Sequence, residues 1–246
     1  MSTLILFDVD GTLTVPRNRI NDDMLNILHK LNNHNDIDIG FVGGSDLSKQ
    51  IEQLGEENMN LFKWRFTENG LKSYHNNDLI HTKNIIEFLG EDRYRNLINT
   101  ILLVLSSVHI PRKRGNFIEL RTGMINISPI GRSCTQSERD EFDIYDKENN
   151  VRKDIIEKLK ESLGNEFYNF QFSIGGQISI DIFPRGWDKT YCLQFVQYKY
   201  DKIYFFGDKT MKGGNDYEIY NDSRINGYSV NSYKDTIKYI KEIFFE

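Results

Sequence analysis

The sequence predicts an α/β fold: a parallel sheet clothed in helices, carrying an inserted α+β unit on an antiparallel sheet. Three observations predict it. Short apolar runs, "TLILFDVD", "IDIGFVGGS" and "KIYFFGD", recur towards both ends of the chain, each followed by a helical stretch. Strands alternating with helices are joined by crossovers, and crossovers build parallel sheets covered on both faces. The middle of the chain has another style, in which helices alternate with paired strands that split at turn residues. That order belongs to an α+β arrangement.

Taken in order, "TLILFDVD" is a strand and residues around 21–32 a helix with apolar residues at helical spacing. "IDIGFVGGS" is the next strand, 46–54 the next helix and "WRFTENG" a further strand. A helix at about 91–108 opens the middle section. "FIELRTGMINISPIG" then gives a hairpin split at Thr122–Gly123, followed by one charged helix from about 137 to 163. "FQFSIGGQISIDIF" gives a second pair split at Gly175–Gly176. Strand "KIYFFGD", a helical turn near "NDYEIY", strand "INGYSV" and a helix from Tyr233 complete the chain. The expected division is a core of 1–81 with 188–246, and an insert of 82–187.

Composition narrows the function classes. With 246 residues, 39% hydrophobic and 27% charged, the chain lies in the ordinary globular range. A formal charge of −5 argues against nucleic acid or an anionic membrane as the main partner. The first apolar run is cut short by Asp8 and lacks a basic flank, so it does not read as a signal peptide. "LINTILLVLSSV" (97–108) is too short to span a bilayer. Two cysteines, Cys134 and Cys192, make no disulfide framework, and a cytoplasmic location is expected. The five histidines show no metal spacing.

Chemistry concentrates at strand ends. Asp8 and Asp10 follow the first strand at positions i and i+2, so they point to one side of the carboxyl end of a parallel strand, where ligands bind open α/β sheets. Paired carboxylates repel unless a cation or proton lies between them, and oxygen ligands favour Mg²⁺. The blander reading makes them helix caps. Ser45 ends "IDIGFVGGS" ahead of a helix, where a hydroxyl suits phosphate oxygens or a plain N-cap. Asp208 ends "KIYFFGD", with Asp216 eight positions on across a glycine-rich turn. These acids either complete a metal site or form Asx turns. Lys189, in "GWDK", stands where the chain returns from the insert; alone, it reads as a surface charge.

Asp-x-Asp-Gly-Thr, a strand-end serine, a lysine and a late Gly-Asp…Asp, in that order, resemble the four motifs of the haloacid dehalogenase superfamily. "DVDGTLT", "VGGSD", "ENGL", "GNFIELRTGMINISPIGRSC", "GGQISIDIFPRGWDK", "FFGDKTMKGGNDYEIY" and "GYSV" extend the likeness: over nearly the whole chain it resembles the eukaryotic-type phosphomannomutases. Departures are Lys212, Arg185 and Ile225, none a reacting group.

The resemblance implies a Rossmann-like core with a cap domain. It makes Asp8 the nucleophile and Asp10 the general acid and base, aided by Lys189 and Ser45. It places Mg²⁺ on Asp8, Asp10 and Asp208, with Asp216, Tyr220 and Asp222 as further or second-site ligands. Arg17, Arg121, Arg132, Arg139, Ser179 and Asp181 would bind substrate. Read without the family, the insert arginines pair equally well with Glu119, Glu138 and Asp140. The implied reaction interconverts mannose 6-phosphate and mannose 1-phosphate for GDP-mannose synthesis, with a hexose 1,6-bisphosphate of mannose or glucose as activator. A homodimer through the cap is implied too. The rival expectations are a sugar-phosphate phosphatase on the same scaffold and a phosphosugar-binding protein without turnover.

Overall fold

Leu4, Ile5, Leu6 and Phe7 expose no surface in the computed structural model, which describes residues 2–245. A run buried on both faces belongs in the middle of a covered sheet, and these residues form strand β1 (Thr3–Phe7). In helix α1 (Asp22–Asn32) the Asn21 side chain accepts from the Met24 N–H, and Met24, Ile27, Leu28 and Leu31 make one buried stripe. Strand β2 (Ile37–Val42) lies parallel to β1, helix α2 (Leu47–Leu54) starts on Asp46, and β3 (Trp64–Thr67) lies parallel to β2.

Two strands absent from the sequence reading follow. β4 (Lys72–His75) pairs antiparallel with β3, and β5 (Asp78–Thr82) antiparallel with β4. They form the sheet's edge, where "KSYH" and "DLIHT" need no continuous apolar run because much of their surface meets water.

Residues 83–185 form a unit of their own. It contains α3 (Ile85–Leu89), α4 (Glu91–Ser107), β6 (Ile118–Leu120), β7 (Ile125–Ile127), α5 (Gln136–Asn149), α6 (Val151–Leu163), β8 (Phe170–Gly175) and β9 (Ser179–Pro184). Its four strands are antiparallel in the order β6-β7-β9-β8. The single charged helix expected over 137–163 is two helices. Asn150 takes a left-handed conformation (φ 54°), which asparagine tolerates better than most residues, and ends α5 there. The Asp146 carboxylate then accepts from the Arg152 backbone N–H and from its Nε, both at 2.7 Å, so the break is closed by a buried ion pair.

The first unit resumes at Gly186 with a 3₁₀ turn (Lys189–Phe195), β10 (Lys202–Gly207), α7 (Tyr217–Tyr220), β11 (Asn226–Ser229) and α8 (Tyr233–Phe244). The sheet order is β11-β10-β1-β2-β3-β4-β5, parallel from β11 to β3. Alternate residues serve alternate faces. Ile5, Phe7, Ile39 and Phe41 pack with α1 and α8, while Leu4, Leu6, Val42 and Phe66 pack with Cys192, Leu193 and Ile219. β1 therefore sits between strands from both ends of the chain, and its carboxyl end opens among the loops after β2 and β10.

Candidate active site

The Asp8 N–H donates to Phe206 O at 2.9 Å, so the parallel pairing with β10 runs one residue past β1 and carries Asp8 to the sheet's edge. There the chain must turn at once. Gly11 does so with φ 81°, and a Cβ at that position would lie 2.4 Å from Asp208 Oδ2. Only glycine permits both the conformation and the approach of the β1 and β10 loops.

Lys189 joins this edge from the 3₁₀ turn. Its side chain is wholly buried, and Nζ donates to Asp8 Oδ1 and, at 2.6 Å, to Asp216 Oδ1. Asp216 Oδ2 accepts from the Lys209 N–H at 3.0 Å. Carboxylate oxygens of Asp8, Asp208 and Asp216 lie within 4.8 Å of one another. One lysine faces three acids, and the electrostatics follow. Burial pushes the Asp8 carboxyl up to about 7; the Lys189 charge opposes this, while Asp216 and Asp208 add to it. Burial also raises Asp208. Burial works against the Lys189 charge, but Asp216 and Asp8 outweigh it and hold the amine above the ordinary lysine range.

Asp208 Oδ1 is buried and has no hydrogen-bond partner among the described residues. An acceptor left in that state is costly unless something positive meets it. The donor set is all oxygen, which fits a hard divalent cation such as Mg²⁺.

Asp8, Lys189, Asp208 and Asp216 are thus brought together. The Asp10 carboxylate is engaged elsewhere: its Oδ1 accepts from the Arg17 N–H and from Gln53 Nε2, both at 2.8 Å. Arg17 sits at φ 62°, and its backbone, rather than its guanidinium, makes this contact. Ser45 is half-buried beyond β2; Asp46 caps α2 by accepting from the Lys49 N–H at 2.9 Å, so the serine hydroxyl is not the cap. Tyr220 ends α7. Asp222 gives both carboxylate oxygens to the Arg224 guanidinium, at 2.8 and 2.7 Å, and that pairing holds its carboxyl below the usual range.

The antiparallel unit presents one apolar and one polar sheet face. Cross-strand register lines up Glu119, Asn126, Asp181 and Ser173 in a row. Glu119 bridges Arg121 Nε at 2.7 Å and Arg132 Nε at 2.8 Å. Partial burial works against that carboxylate's charge, yet the two arginines outweigh it and hold the carboxyl below its ordinary value. Arg132 also donates to Asn126 Oδ1 at 2.7 Å, and Asn126 Nδ2 to Asp181 Oδ1 at 2.6 Å. Arg139 donates to Arg132 O at 3.2 Å. Ser179, two residues before Asp181, lies on the same face and is buried. Arg121, Arg132, Asn126 and Asp181 form one network, with Arg139 tied to its edge. The sequence reading missed Asn126 and Gln53, each a neutral amide inside an otherwise regular element, with no motif to mark it.

A family model described as eukaryotic phosphomannomutase matches residues 24–246. The chain is 51% identical over 243 residues to the phosphomannomutase of Saccharomyces cerevisiae, covering 98% of this chain and 94% of that one. It is 50% identical over 247 residues to phosphomannomutase 1 of Dictyostelium discoideum, covering 100% and 98%. Among solved structures, the IMP-bound IMP-nucleotidase of Plasmodium falciparum superposes with a TM-score of 0.62 at 15% identity, over 100% of this chain and 68% of that one. A trehalose-6-phosphate phosphatase of Aspergillus fumigatus gives 0.61 at 14%, over 98% and 92%. Those two likenesses concern the fold: a Rossmann-like core carrying a cap.

Proposed function

The chain belongs to the eukaryotic phosphomannomutase family, and from that premise we propose that it interconverts mannose 6-phosphate and mannose 1-phosphate with Asp8 as the nucleophile. The observation that carries this reading is the buried Asp8–Lys189–Asp216 network beside the unpartnered Asp208 oxygen, at the carboxyl edge of the sheet. Mg²⁺ held by Asp8, Asp208 and the Asp10 backbone carbonyl, next to Asp216, would supply charge that offsets the repulsion between a carboxylate and a phosphate.

The residues do the rest. An Asp8 oxygen attacks one phosphorus of a hexose 1,6-bisphosphate, and the bond from that phosphorus to the sugar oxygen breaks. Asp10 gives the departing oxygen its proton. A mannose monophosphate then attacks the phosphoryl group on Asp8 with its free hydroxyl, and Asp10 takes the hydroxyl proton as Asp8 leaves as a carboxylate. The bisphosphate so formed turns and gives its other phosphate to Asp8, releasing the isomeric monophosphate. Lys189 keeps Asp8 oriented and balances its charge. Ser45 would donate to the transferring phosphoryl oxygens. Tyr220 and Asp222 stand as candidates for a second cation site, which requires Asp222 to exchange Arg224 for the ion.

The phosphate that does not react would fall to the arginines of the inserted unit. They already hold the Glu119 carboxylate, and a guanidinium that accepts a carboxylate fork accepts a phosphate fork. Arg17 would add a further contact, and Ser179 and Asp181 would meet sugar hydroxyls. Arg132→Ala should lower sugar-phosphate turnover roughly 10- to 100-fold, from about 1.5–3 kcal/mol for a hydrogen bond to a charged partner. Phosphorylation by acetyl phosphate, which has no second phosphate, should stay near the parent rate. Equal losses with both donors would return Arg132 to a structural role.

Mutase and phosphatase share every reacting residue, and the relatives at about half identity favour the mutase. ³¹P NMR decides between them. Mannose 1-phosphate, Mg²⁺ and catalytic hexose 1,6-bisphosphate should yield mannose 6-phosphate; inorganic phosphate as the main product would establish the phosphatase.

The product would feed GDP-mannose synthesis. Two buried free cysteines support a cytoplasmic setting, and no helix among the described residues is long and apolar enough to cross a membrane. A homodimer through the inserted unit is supported by α4, where Leu102 and Leu103 stand 50% and 71% exposed. Leu103→Glu should halve the mass seen by sedimentation equilibrium; an unchanged mass would place the contact elsewhere.

A further inference from the structure

We infer that Gln53 is the positioning residue for Asp10, holding one carboxylate oxygen so that the other is presented to the sugar. The inference rests on Asp10 carrying the proton as proposed above. Gln53 lies on α2, is 6% exposed, and its Nε2 donates to Asp10 Oδ1 at 2.8 Å. Its backbone carbonyl accepts from the Ile20 N–H at 2.8 Å. One residue therefore ties down both the acid and the far end of the loop that follows it. Within that loop Arg17, in its left-handed conformation, delivers the second N–H to the same Asp10 oxygen.

Both donors use Oδ1, and among the described residues neither they nor any other donor reaches Oδ2. A carboxylate held through one oxygen has a fixed plane, and its proton has one place to travel. Without the amide, the remaining Arg17 N–H leaves the group free to swing about a single contact. A proton donor must meet the departing oxygen at hydrogen-bond distance, and small misplacements cost large factors. The neighbouring buried glutamine, Gln50, donates to Ser45 O at 3.3 Å. Helix α2 thus tethers the loop after β2 as well as the one after β1.

The test is a double-mutant cycle read with two donors. Gln53→Met removes the amide and keeps the bulk, and Gln53→Glu keeps the shape should the first variant fail to fold. With mannose 1-phosphate and the bisphosphate, kcat should fall roughly tenfold or more, the value of one hydrogen bond to a charged group, with little change in KM. With acetyl phosphate, whose leaving group needs no proton, the rate of Asp8 phosphorylation should be unchanged. Placed in an Asp10→Asn background, Gln53→Met should have no further effect, because a positioning residue has nothing left to position. Multiplicative losses in that background, or equal losses with both donors, would overturn the inference while leaving Asp10 in its role. If Asp10→Asn itself slows both donors equally, the proton-carrier reading fails and the role of Gln53 falls with it.

Discussion

Asp8→Asn should abolish sugar-phosphate turnover and leave no phosphoprotein, while the fold survives. The amide has the shape of the carboxylate and none of its nucleophilicity. Lys189 keeps Asp216 as its partner, so the variant buries no orphaned ammonium. A phosphoryl adduct trapped in Asp8→Asn, or turnover near the parent's, would move the nucleophile elsewhere. A second signature lies in the metal-free protein, where burial raises the Asp8 carboxyl from 3.8 to about 7. A raised carboxyl means the folded state holds the proton more tightly than the unfolded one. Its contribution to stability is complete below about 3.8 and is lost as the pH rises through about 7. The asparagine variant lacks this component, so its Tm should fall less over that range than the parent's. Parallel Tm profiles would show that Asp8 does not titrate there.

Lys189→Met should cost the most stability. The lysine is the one cation in contact with Asp8 and Asp216 among the described residues, and methionine removes its charge while filling most of its volume. Removing one partner from a buried ion pair costs about 3–5 kcal/mol, because the charge left behind is neither hydrated nor paired. For a chain of this size each kcal/mol moves Tm by about 2–4 °C, so a fall of roughly 6–20 °C is expected by calorimetry. Adding Asp8→Asn to Lys189→Met should recover part of the loss, since one stranded carboxylate disappears. A Tm within a degree of the parent's would mean that the network contributes nothing to folding. Turnover should be lost as well, with or without added Mg²⁺.

What the sequence disclosed and what it hid follow from where each residue sits. β1, β2 and β10 are buried on both faces, so their apolar runs stand out against polar loops. Asp8 and Asp208 were legible because acids directly after such runs are out of place, and Asp216 because it follows Asp208 across a glycine-rich turn. β4 and β5 were not legible. Edge strands face water, and the turn joining them, with Asn76 at φ 55°, was marked only by an asparagine pair. The α5–α6 break has the same signature, Asn149–Asn150 without glycine or proline. Asn76 and Asn150 are the residues that turn the chain at these two places. Gln53 and Asn126 lay beyond any pattern: a buried amide is recognised by what it touches, and those partners are 43 and 55 positions away.

The place of β1 between β2 and β10 has a consequence for synthesis. The Ser2 N–H bonds Asp201 across 199 positions of chain, so the first strand waits through most of translation for its second neighbour. Residues 83–185, being contiguous, can close their own sheet in the interval, while the β1 edge that will meet β10 stays bare and open to pairing with other chains. Closing so long a loop is slow, which makes the joining of β10 to β1 the step at which a nascent chain is most exposed. Lys189, Asp208 and Asp216 reach Asp8 only then. A chain released before Asp216 would hold a finished insert and no catalyst.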